Sequence, residues 1–166
     1  MNPSTQSDLY NYNTDDINTV DIKKYLKSRH AGPGVNLFEM GIAGRRVDLI
    51  HINPHTQHIR IFEVKASRSD FTGDDKWHHY IKYCHTFSFV CPYGLIAKDE
   101  LPPGIGLLWI YKWNHKRQTT WSEDVQWYLG NQWIKRPKRR EMESQTMIYV
   151  AFLMVERMIS RKHDVF

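Results

Sequence analysis

A glutamate and a lysine lie two residues apart inside an apolar stretch, as Glu63 and Lys65 of FEVK at 62–65. Alternate side chains of a β-strand point to the same face, so a strand here would set these two groups side by side. Asp48 interrupts the preceding apolar stretch, VDLI at 47–50, in the same way. Charges inside apolar strands are costly to bury unless they are paired or bind a metal ion. The spacing therefore leaves two interpretations open: an ion pair on an exposed strand, or a site in which two carboxylates and an ammonium converge.

A site of that composition would suit the hydrolysis of a phosphodiester. Paired carboxylates bind Mg²⁺, which prefers oxygen ligands and keeps several waters when it binds phosphate substrates. Such an ion makes hydroxide available near neutral pH and offsets the charge that builds on the phosphoryl oxygens. A lysine beside it can orient the attacking water or stabilise the phosphorus centre during the reaction.

The residues around this pattern predict three consecutive strands, over 35–42, 45–52 and 58–66, with turn residues between them. The short turns indicate an antiparallel meander. Counting back from the second turn then brings Asp48 close to Glu63. Both later strands carry apolar residues at successive positions, which is typical of strands that are covered on both faces.

Helices and further strands are predicted on either side of this meander. They are a helix begun by Asp15 or Asp16 and ending at Arg29, a helix begun by Thr72 with Asp75 as its capping partner, strands over 86–91 and 105–113, an ambiguous polar segment or hairpin over 114–134, and a helix over 141–161. The order α-β-β-β-α-β predicts an α/β sandwich around a mixed central sheet. The length of 166 residues suits one domain, which we expect over 15–166 behind a flexible lead at 1–14.

The motifs of this region resemble those of the MmcB-like family, a DNA-repair-associated family of the PD-(D/E)xK nuclease superfamily. The resemblance runs from about residue 35 to 109 and is carried by RVDL at 46–49, FEVKASRSDF at 62–71 and DKWHHYIKYC at 75–84. It implies a restriction-endonuclease-like fold with helices on both faces of the sheet. It also implies metal-dependent hydrolysis of DNA, with Asp48 and Glu63 as metal ligands and Lys65 as the catalytic lysine.

Many members of that superfamily carry an additional acid upstream of these residues. Glu39 is the best candidate for a third metal ligand, because strand alternation can place it beside the site. Asp21, on the first helix, is the second candidate. A solvated position at the edge of a strand is the alternative interpretation of Glu39.

Three residues that follow the third strand are candidates for contacts with nucleic acid. Ser67 and Arg68 leave the strand where a substrate would lie, and the planar guanidinium of arginine matches phosphate oxygens. Lys76 stands on the next predicted helix and could contact a phosphate. The alternatives are that Arg68 is an ordinary surface residue and that Lys76 pairs with Asp70 or Asp75.

The net charge of +5 comes from one segment, KRPKRR at 135–140, which holds five cations and no anion. Pro137 prevents a regular helix there, so we expect an exposed loop. Clustered exposed cations favour phosphates, and we expect Lys138, Arg139 and Arg140 to bind nucleic acid with an affinity that weakens as salt rises. A solvated linker or a docking site is the alternative. The neighbouring Trp133 could stack on the bases of a single strand or cover the edge of the core.

The remaining composition favours a protein of a reducing compartment. Cys84 and Cys91 are too few for a disulfide framework, and their spacing from nearby histidines fits no usual zinc site. We find no signal peptide and no apolar run long enough to cross a bilayer. We therefore expect a soluble, cytoplasmic protein without membrane contact. The apolar stripe of its last helix would pack in the core or, alternatively, form a homodimer interface.

The leading hypothesis is a DNA nuclease with Mg²⁺ or Mn²⁺ as its cofactor, held by Asp48 and Glu63 and by Glu39 as a third ligand. A second hypothesis belongs to another class: a DNA-binding or adaptor module that keeps the fold and does not cut. Metal binding at Asp48 separates the two, since only the nuclease needs it.

Overall fold

The chain folds around a seven-stranded mixed sheet, in a computed structural model that describes residues 12–13, 17–29, 34–119 and 122–163. Its elements in chain order are β1 (Tyr12–Asn13), α1 (Thr19–Arg29), β2 (Val35–Ile42), β3 (Arg45–Asn53), β4 (His58–Val64), α2 (Arg68–Thr72), a 3₁₀ segment (Trp77–Tyr83), β5 (Thr86–Pro92), a short 3₁₀ turn (Lys98–Glu100), β6 (Gly106–Thr119), β7 (Ser122–Lys135) and α3 (Ser144–His163). The expected flexible lead at 1–14 lies outside the described residues, apart from the two that form β1.

The sheet places the predicted meander next to parallel strands. β2, β3 and β4 pair antiparallel in sequence order, and β5 then pairs parallel with β4 and with β6. The ambiguous segment that begins at residue 114 continues β6 into a long antiparallel hairpin with β7. β1 adds to β6 at Lys112 and Trp113. The predicted mixed α/β fold with the order α-β-β-β-α-β is confirmed at this level.

Apolar side chains cover both faces of the sheet, as the successive apolar residues of β3 and β4 predicted. On one face, here called the α1 face, Ile22 and Leu26 pack with Leu49, Phe62 and other side chains. On the opposite face, the α3 face, a larger core extends from the strands to α3 and the 3₁₀ segment. Because β4 is central in the sheet, its successive side chains enter the two cores in turn.

Two of the predicted helix starts are different in the structure. Asp15 and Asp16 lie outside the described residues, and the side chain of Asn18 accepts hydrogen bonds from the backbone N–H groups at the start of α1. The prediction that Thr72 begins a helix is wrong. Ser67 begins α2 by accepting a hydrogen bond from Asp70 N–H, and Thr72 ends that helix.

The segment after α2 was predicted as an α-helix and is a 3₁₀ helix instead. It buries Tyr80, whose hydroxyl donates to the carbonyl oxygen of Arg46 at 3.0 Å. Cys84 follows in a fully buried position. Residues at i and i+3 share a side in both kinds of helix, so the apolar spacing alone did not distinguish them.

α3 turns only part of its predicted apolar stripe toward the sheet. Val150 and Met154 are buried, whereas Ile148, Val155 and Ile159 are each more than half exposed, at 55%, 52% and 54%. The expectation that the whole stripe packs in the core is therefore wrong for these three residues. None of the helices in the described part of the chain has the length and apolar character of a membrane span.

Candidate active site

Asp48 lies where the pairing of β3 and β4 ends. The ladder between these strands reaches Leu49 opposite Phe62, and one more step in the same register sets Asp48 opposite Glu63. At that point Val64 N–H donates a hydrogen bond of 2.9 Å to Oδ2 of Asp48. The carboxylate is thus built into the junction of the two strands, and the predicted proximity of Asp48 and Glu63 is present.

Glu63 is a buried acid with an unsatisfied oxygen. Its residue is 9% exposed, and Oε2 has no hydrogen-bond partner. Burial raises the pKa of Glu63 to about 7, and the nearby Asp48 carboxylate adds to this rise while Lys65 opposes it. A cation placed against this carboxyl group would stabilise its charged form.

Lys65 lies beside Glu63 on the α3 face. Two acids that follow it in the chain, Asp70 and Asp74, also hold it. Its Nζ is 3.6 Å from Oε1 of Glu63, 2.6 Å from Oδ2 of Asp74 and 3.7 Å from Oδ1 of Asp70. Burial lowers the pKa of Lys65, but the hydrogen bond with Asp74 and the charge of Glu63 outweigh burial, so the pKa lies above its ordinary value. The buried amine is therefore an ammonium.

Asp74 is a site residue that the sequence did not single out. It lies just after Gly73, the residue that caps the end of α2, and also accepts a hydrogen bond from Lys76 N–H at 2.8 Å. Burial raises the pKa of Asp74, yet its bonds with Lys65 and with backbone N–H groups hold the pKa below the ordinary value. The only signal in the sequence was one more acid in a polar turn, between the candidates Asp70 and Asp75.

Glu63 and Lys65 open onto a cleft of about 540 Å³. Three further cations line it, namely Arg45, Arg46 and Lys76. The other lining residues are Gly44, Ser69, Asp70, Gly73, Asp74 and Tyr80. A cleft with acids and a lysine at its base and cations along its sides can accept a polyanion.

The two arginines are brought to the cleft by the turn between β2 and β3. Ala43 and Gly44 both have positive φ, at 50° and 74°, as a two-residue hairpin turn requires. Arg45 and Arg46 follow at once at the start of β3. The sequence alone did not indicate either arginine as a DNA contact, because their position depends on how the hairpin meets α2 and the 3₁₀ segment.

Neither Glu39 nor Asp48 lines this cleft, although Asp48 lies at the strand junction next to Glu63. The carboxylate of Glu39 pairs with Lys23 and, at 2.8 Å, with Nε of Arg46. Lys23 also lies 2.8 Å from Oδ1 of Asp48, so one ammonium joins the two acids. Asp21, the second candidate for a third ligand, pairs with Lys112 at 3.8 Å. Within the described residues, no three His, Cys, Asp or Glu side chains form a group that could hold a metal ion.

The candidates around α2 have different surroundings. Ser67 caps α2. Arg68 forms two hydrogen bonds with the Glu100 carboxylate, of 2.9 and 2.6 Å, and one with the Leu95 carbonyl. Lys76 is exposed at the cleft, and no carboxylate of the described residues is within ion-pair distance of it. Of these three candidates, Lys76 is the one that lines the same cleft as Lys65 without an ion pair to a described carboxylate.

The segment 135–140 lies at the other end of the sheet. Lys138 N–H donates to the Gly104 carbonyl and Arg140 N–H to the carbonyl of His85, just before β5. Glu63 is near the C-terminal end of β4, which runs parallel to β5. Arg139 and its neighbours Lys138 and Arg140 are therefore separate from the cleft.

The two cysteines are buried and free. Burial raises the pKa of Cys84 and of Cys91 to about 12. Thiols of this kind are ordinary core side chains.

The fold and the cleft define a class of protein: a mixed α/β domain in which adjacent central strands carry two acids and a buried lysine. The chain belongs to the MmcB-like family, since residues 20–118 match the family model described as "DNA repair protein MmcB-like". The matched region contains Asp48, Glu63 and Lys65. This confirms the family resemblance noted from the motifs.

Among solved structures, the chain is similar to the SPO1766 protein of unknown function from Silicibacter pomeroyi. The two share 19% sequence identity with a TM-score of 0.64, over 88% of this chain and 90% of that one. At this identity the likeness concerns the fold alone. No curated protein matches the chain.

Proposed function

We propose that this protein hydrolyses DNA phosphodiester bonds with a divalent metal ion, on a fold of the restriction-endonuclease-like type. The family description supports a role with DNA, and the order of α1, the β2–β4 meander, α2 and β5 supports the fold type. The observation that carries the proposal is the buried Glu63–Lys65 pair beside Asp48, at the base of a cleft lined with cations.

The donor set fits Mg²⁺ or Mn²⁺. Mg²⁺ is commonly bound by one or two carboxylates and keeps waters in its other positions, so Asp48 and Glu63 suffice without a third acid. The unsatisfied Oε2 of Glu63 is an oxygen that such an ion would bind. The ion would lower the pKa of a bound water and offset charge on the scissile phosphate.

The chain's own residues would position the substrate and the water. Lys65, fixed by Asp74, would donate a hydrogen bond to the attacking water or to a phosphoryl oxygen. Arg45, Arg46 and Lys76 would bind the neighbouring phosphates. Lys23 would hold Asp48 at the strand junction through its ion pair.

The test is cleavage of single-stranded, duplex and branched DNA in Mg²⁺ or Mn²⁺. We expect Lys65→Ala and Glu63→Gln to lower the cleavage rate about a hundredfold or more. Lys27→Ala, which removes an exposed cation of α1 away from the cleft, is the matched control and should cut normally. Thermal melts would establish that each variant is folded. Cleavage that survives Lys65→Ala would contradict the proposal.

One observation favours a second candidate, a DNA-binding module that does not cut. The ammonium of Lys23 already lies against Asp48, where it supplies a positive charge next to the expected metal site. Calorimetry with Mn²⁺ separates the two candidates. A site that Asp48→Asn weakens supports the nuclease, whereas no measurable site supports the binding module.

We also propose that the protein acts in the cytoplasm. Its two thiols are free and buried, with no disulfide between them. Unpaired thiols of this kind are typical of a reducing compartment. Fractionation of cells that express the tagged chain would test this location.

A further inference from the structure

A second basic recess lies on the face of the sheet opposite to the cleft. Arg60 and Phe62 of β4 alternate with Ile61 and Glu63, so they point to the α1 face. Phe62 packs in the same core as Ile22 of α1, and it also lines an open groove of about 230 Å³. The groove is bounded by β4, β5 and the segment that follows β7.

We propose that this groove is a second nucleic-acid site, which holds a phosphate and an unstacked base of single-stranded DNA away from the Glu63–Lys65 cleft. The groove residues that carry the proposal are His58, Arg60, Trp133, Arg136 and Arg139. The inference rests on the proposed role with DNA, but not on cleavage.

The positive charge of the groove is not neutralised within the described chain. Arg60, Arg136 and Arg139 have no carboxylate of the described residues within ion-pair distance. His58 contributes no charge at neutral pH, because burial and then the charges of Arg60 and Arg139 lower its pKa to about 4. Three guanidinium groups that share one recess without a carboxylate suit a phosphodiester.

An aromatic side chain lies among these charges. The guanidinium of Arg136 is 5.9 Å from the centre of the Trp133 ring. Bases without stacked neighbours bind aromatic rings and arginine planes in proteins that hold single strands. The bases of a duplex are covered by their stacked neighbours and cannot reach this ring, whereas an unstacked base of a single strand can. The geometry therefore favours a single strand.

The wall that carries Arg139 is held in place before any ligand binds. Lys138 N–H donates to the carbonyl of Gly104 at 3.1 Å. Pro137 packs so closely on β6 that a Cβ at Gly106 would lie 2.9 Å from Pro137 Cδ. An ordered wall loses little conformational freedom when it binds a ligand, which favours affinity.

The test measures binding of labelled oligothymidine of about 16 nucleotides, in EDTA so that no metal-dependent cutting occurs. We expect Arg60→Gln/Arg139→Gln to lower affinity at least tenfold. It should also reduce the slope of log K against log salt by about 0.7, the value for one lost phosphate contact on a single strand. The matched control is Lys27→Gln/Lys98→Gln, which removes two exposed cations that line neither the groove nor the cleft and should keep most of this affinity. A groove variant that binds the oligonucleotide within twofold of the original protein would overturn the proposal.

Two further measurements separate this site from the proposed nuclease. Trp133→Leu should weaken oligothymidine binding but leave duplex binding unchanged, and equal losses for both DNAs would overturn the assignment to single strands. Thermal melts verify the folding of each variant. If groove variants lose binding while no DNA is cut under any condition, the groove stands and the nuclease proposal fails. If DNA is cut and the groove variants bind normally, the nuclease proposal stands and the groove proposal fails.

Discussion

The ammonium of Lys65 lies 2.6 Å from the carboxylate of Asp74 and 3.6 Å from that of Glu63. The lysine is thus fixed by an acid outside its own strand, so its direction depends on how α2 ends. We infer that Asp74 positions Lys65 and does not itself contact the substrate.

Asp74→Asn should destabilise the protein by about 1–3 kcal/mol, because it weakens the charged partner of a buried ammonium. Asp75→Asn is a matched control, since Asp75 is exposed, and its free energy of unfolding should change by less than about 0.5 kcal/mol. Urea unfolding measures both. If Asp74 only stabilised the fold, cleavage by the folded variant would be unchanged, whereas a positioning role predicts a lower rate at the same KM.

The ion pair of Lys65 and Asp74 also predicts how the stability of the protein depends on pH. The pKa of Asp74 is lower in the folded chain than its ordinary value, so its contribution is present above the unfolded pKa and is lost as pH falls through the folded pKa. We expect the free energy of unfolding to decrease below about pH 4. Asp74→Asn should flatten that part of the curve. If the free energy of unfolding of Asp74→Asn falls in acid as steeply as that of the original protein, Asp74 is not the cause of this pH dependence.

Glu63 predicts the opposite dependence of stability on pH. Its folded pKa of about 7 is above its ordinary value, so the folded chain binds more protons than the unfolded chain between these values. Stability contributed by the protonated carboxyl is therefore lost as pH rises toward 7.

In EDTA at pH 8, Glu63→Gln should stabilise the protein by roughly 2 kcal/mol, because it removes an incompletely paired buried charge. The gain should shrink toward pH 5, and Mn²⁺ binding should be lost. Glu143→Gln, at an exposed acid, is the control. Thermal melts at the two pH values make the comparison. A loss of stability at pH 8 would show that Glu63 is well satisfied without a metal ion.

The strands that carry the site could be predicted because local rules determine them. Apolar positions and two short turns define β2 to β4, and turn length then fixes the register that sets Asp48 beside Glu63. Asp74 could not be predicted in the same way. Its contact with Lys65 depends on the path of the chain after α2, which no local pattern determines.

Arg68 shows the same limit of prediction from sequence. As a sequence feature it was an arginine beside a predicted site, but its partner Glu100 lies 32 residues away. The ion pair forms only because the fold brings the 3₁₀ turn at 98–100 next to Arg68. Lys23 likewise reaches Asp48 from α1, across 25 residues. Local patterns place Asp48 and Glu63, whereas tertiary packing adds Asp74 and decides which cations meet these acids.

The two buried thiols predict resistance to modification. Cys84 and Cys91 have no exposed surface, and burial raises the pKa of each to about 12. Because the thiolate is the reactive form, neither should react with Ellman's reagent at pH 8 in the folded protein. Both should react in urea. Rapid labelling of either thiol under native conditions would show that its strand opens locally.

α3 predicts self-association of the protein. Its exposed apolar residues recur at helical spacing along one side, at Ile148, Phe152, Val155 and Ile159. Large exposed apolar patches commonly mark protein interfaces. The sequence has the acids Glu141 and Glu143 just before α3, whereas toward its end the cations Arg157, Arg161 and Lys162 outnumber the acid Glu156. Two copies of α3 in antiparallel contact would bring these opposite charges together, so we propose a second copy of the chain as the partner.

Light scattering after gel filtration measures this association. Phe152 is 70% exposed, and Phe152→Glu should shift the protein from dimer to monomer without lowering its melting temperature in dilute solution. Val20→Glu is the matched control, since Val20 is an exposed apolar residue of α1 and should leave the dimer intact. Raised salt should weaken the dimer modestly, because the helix-end charges are screened while the apolar contact is not. A protein that is monomeric at all concentrations would contradict the prediction.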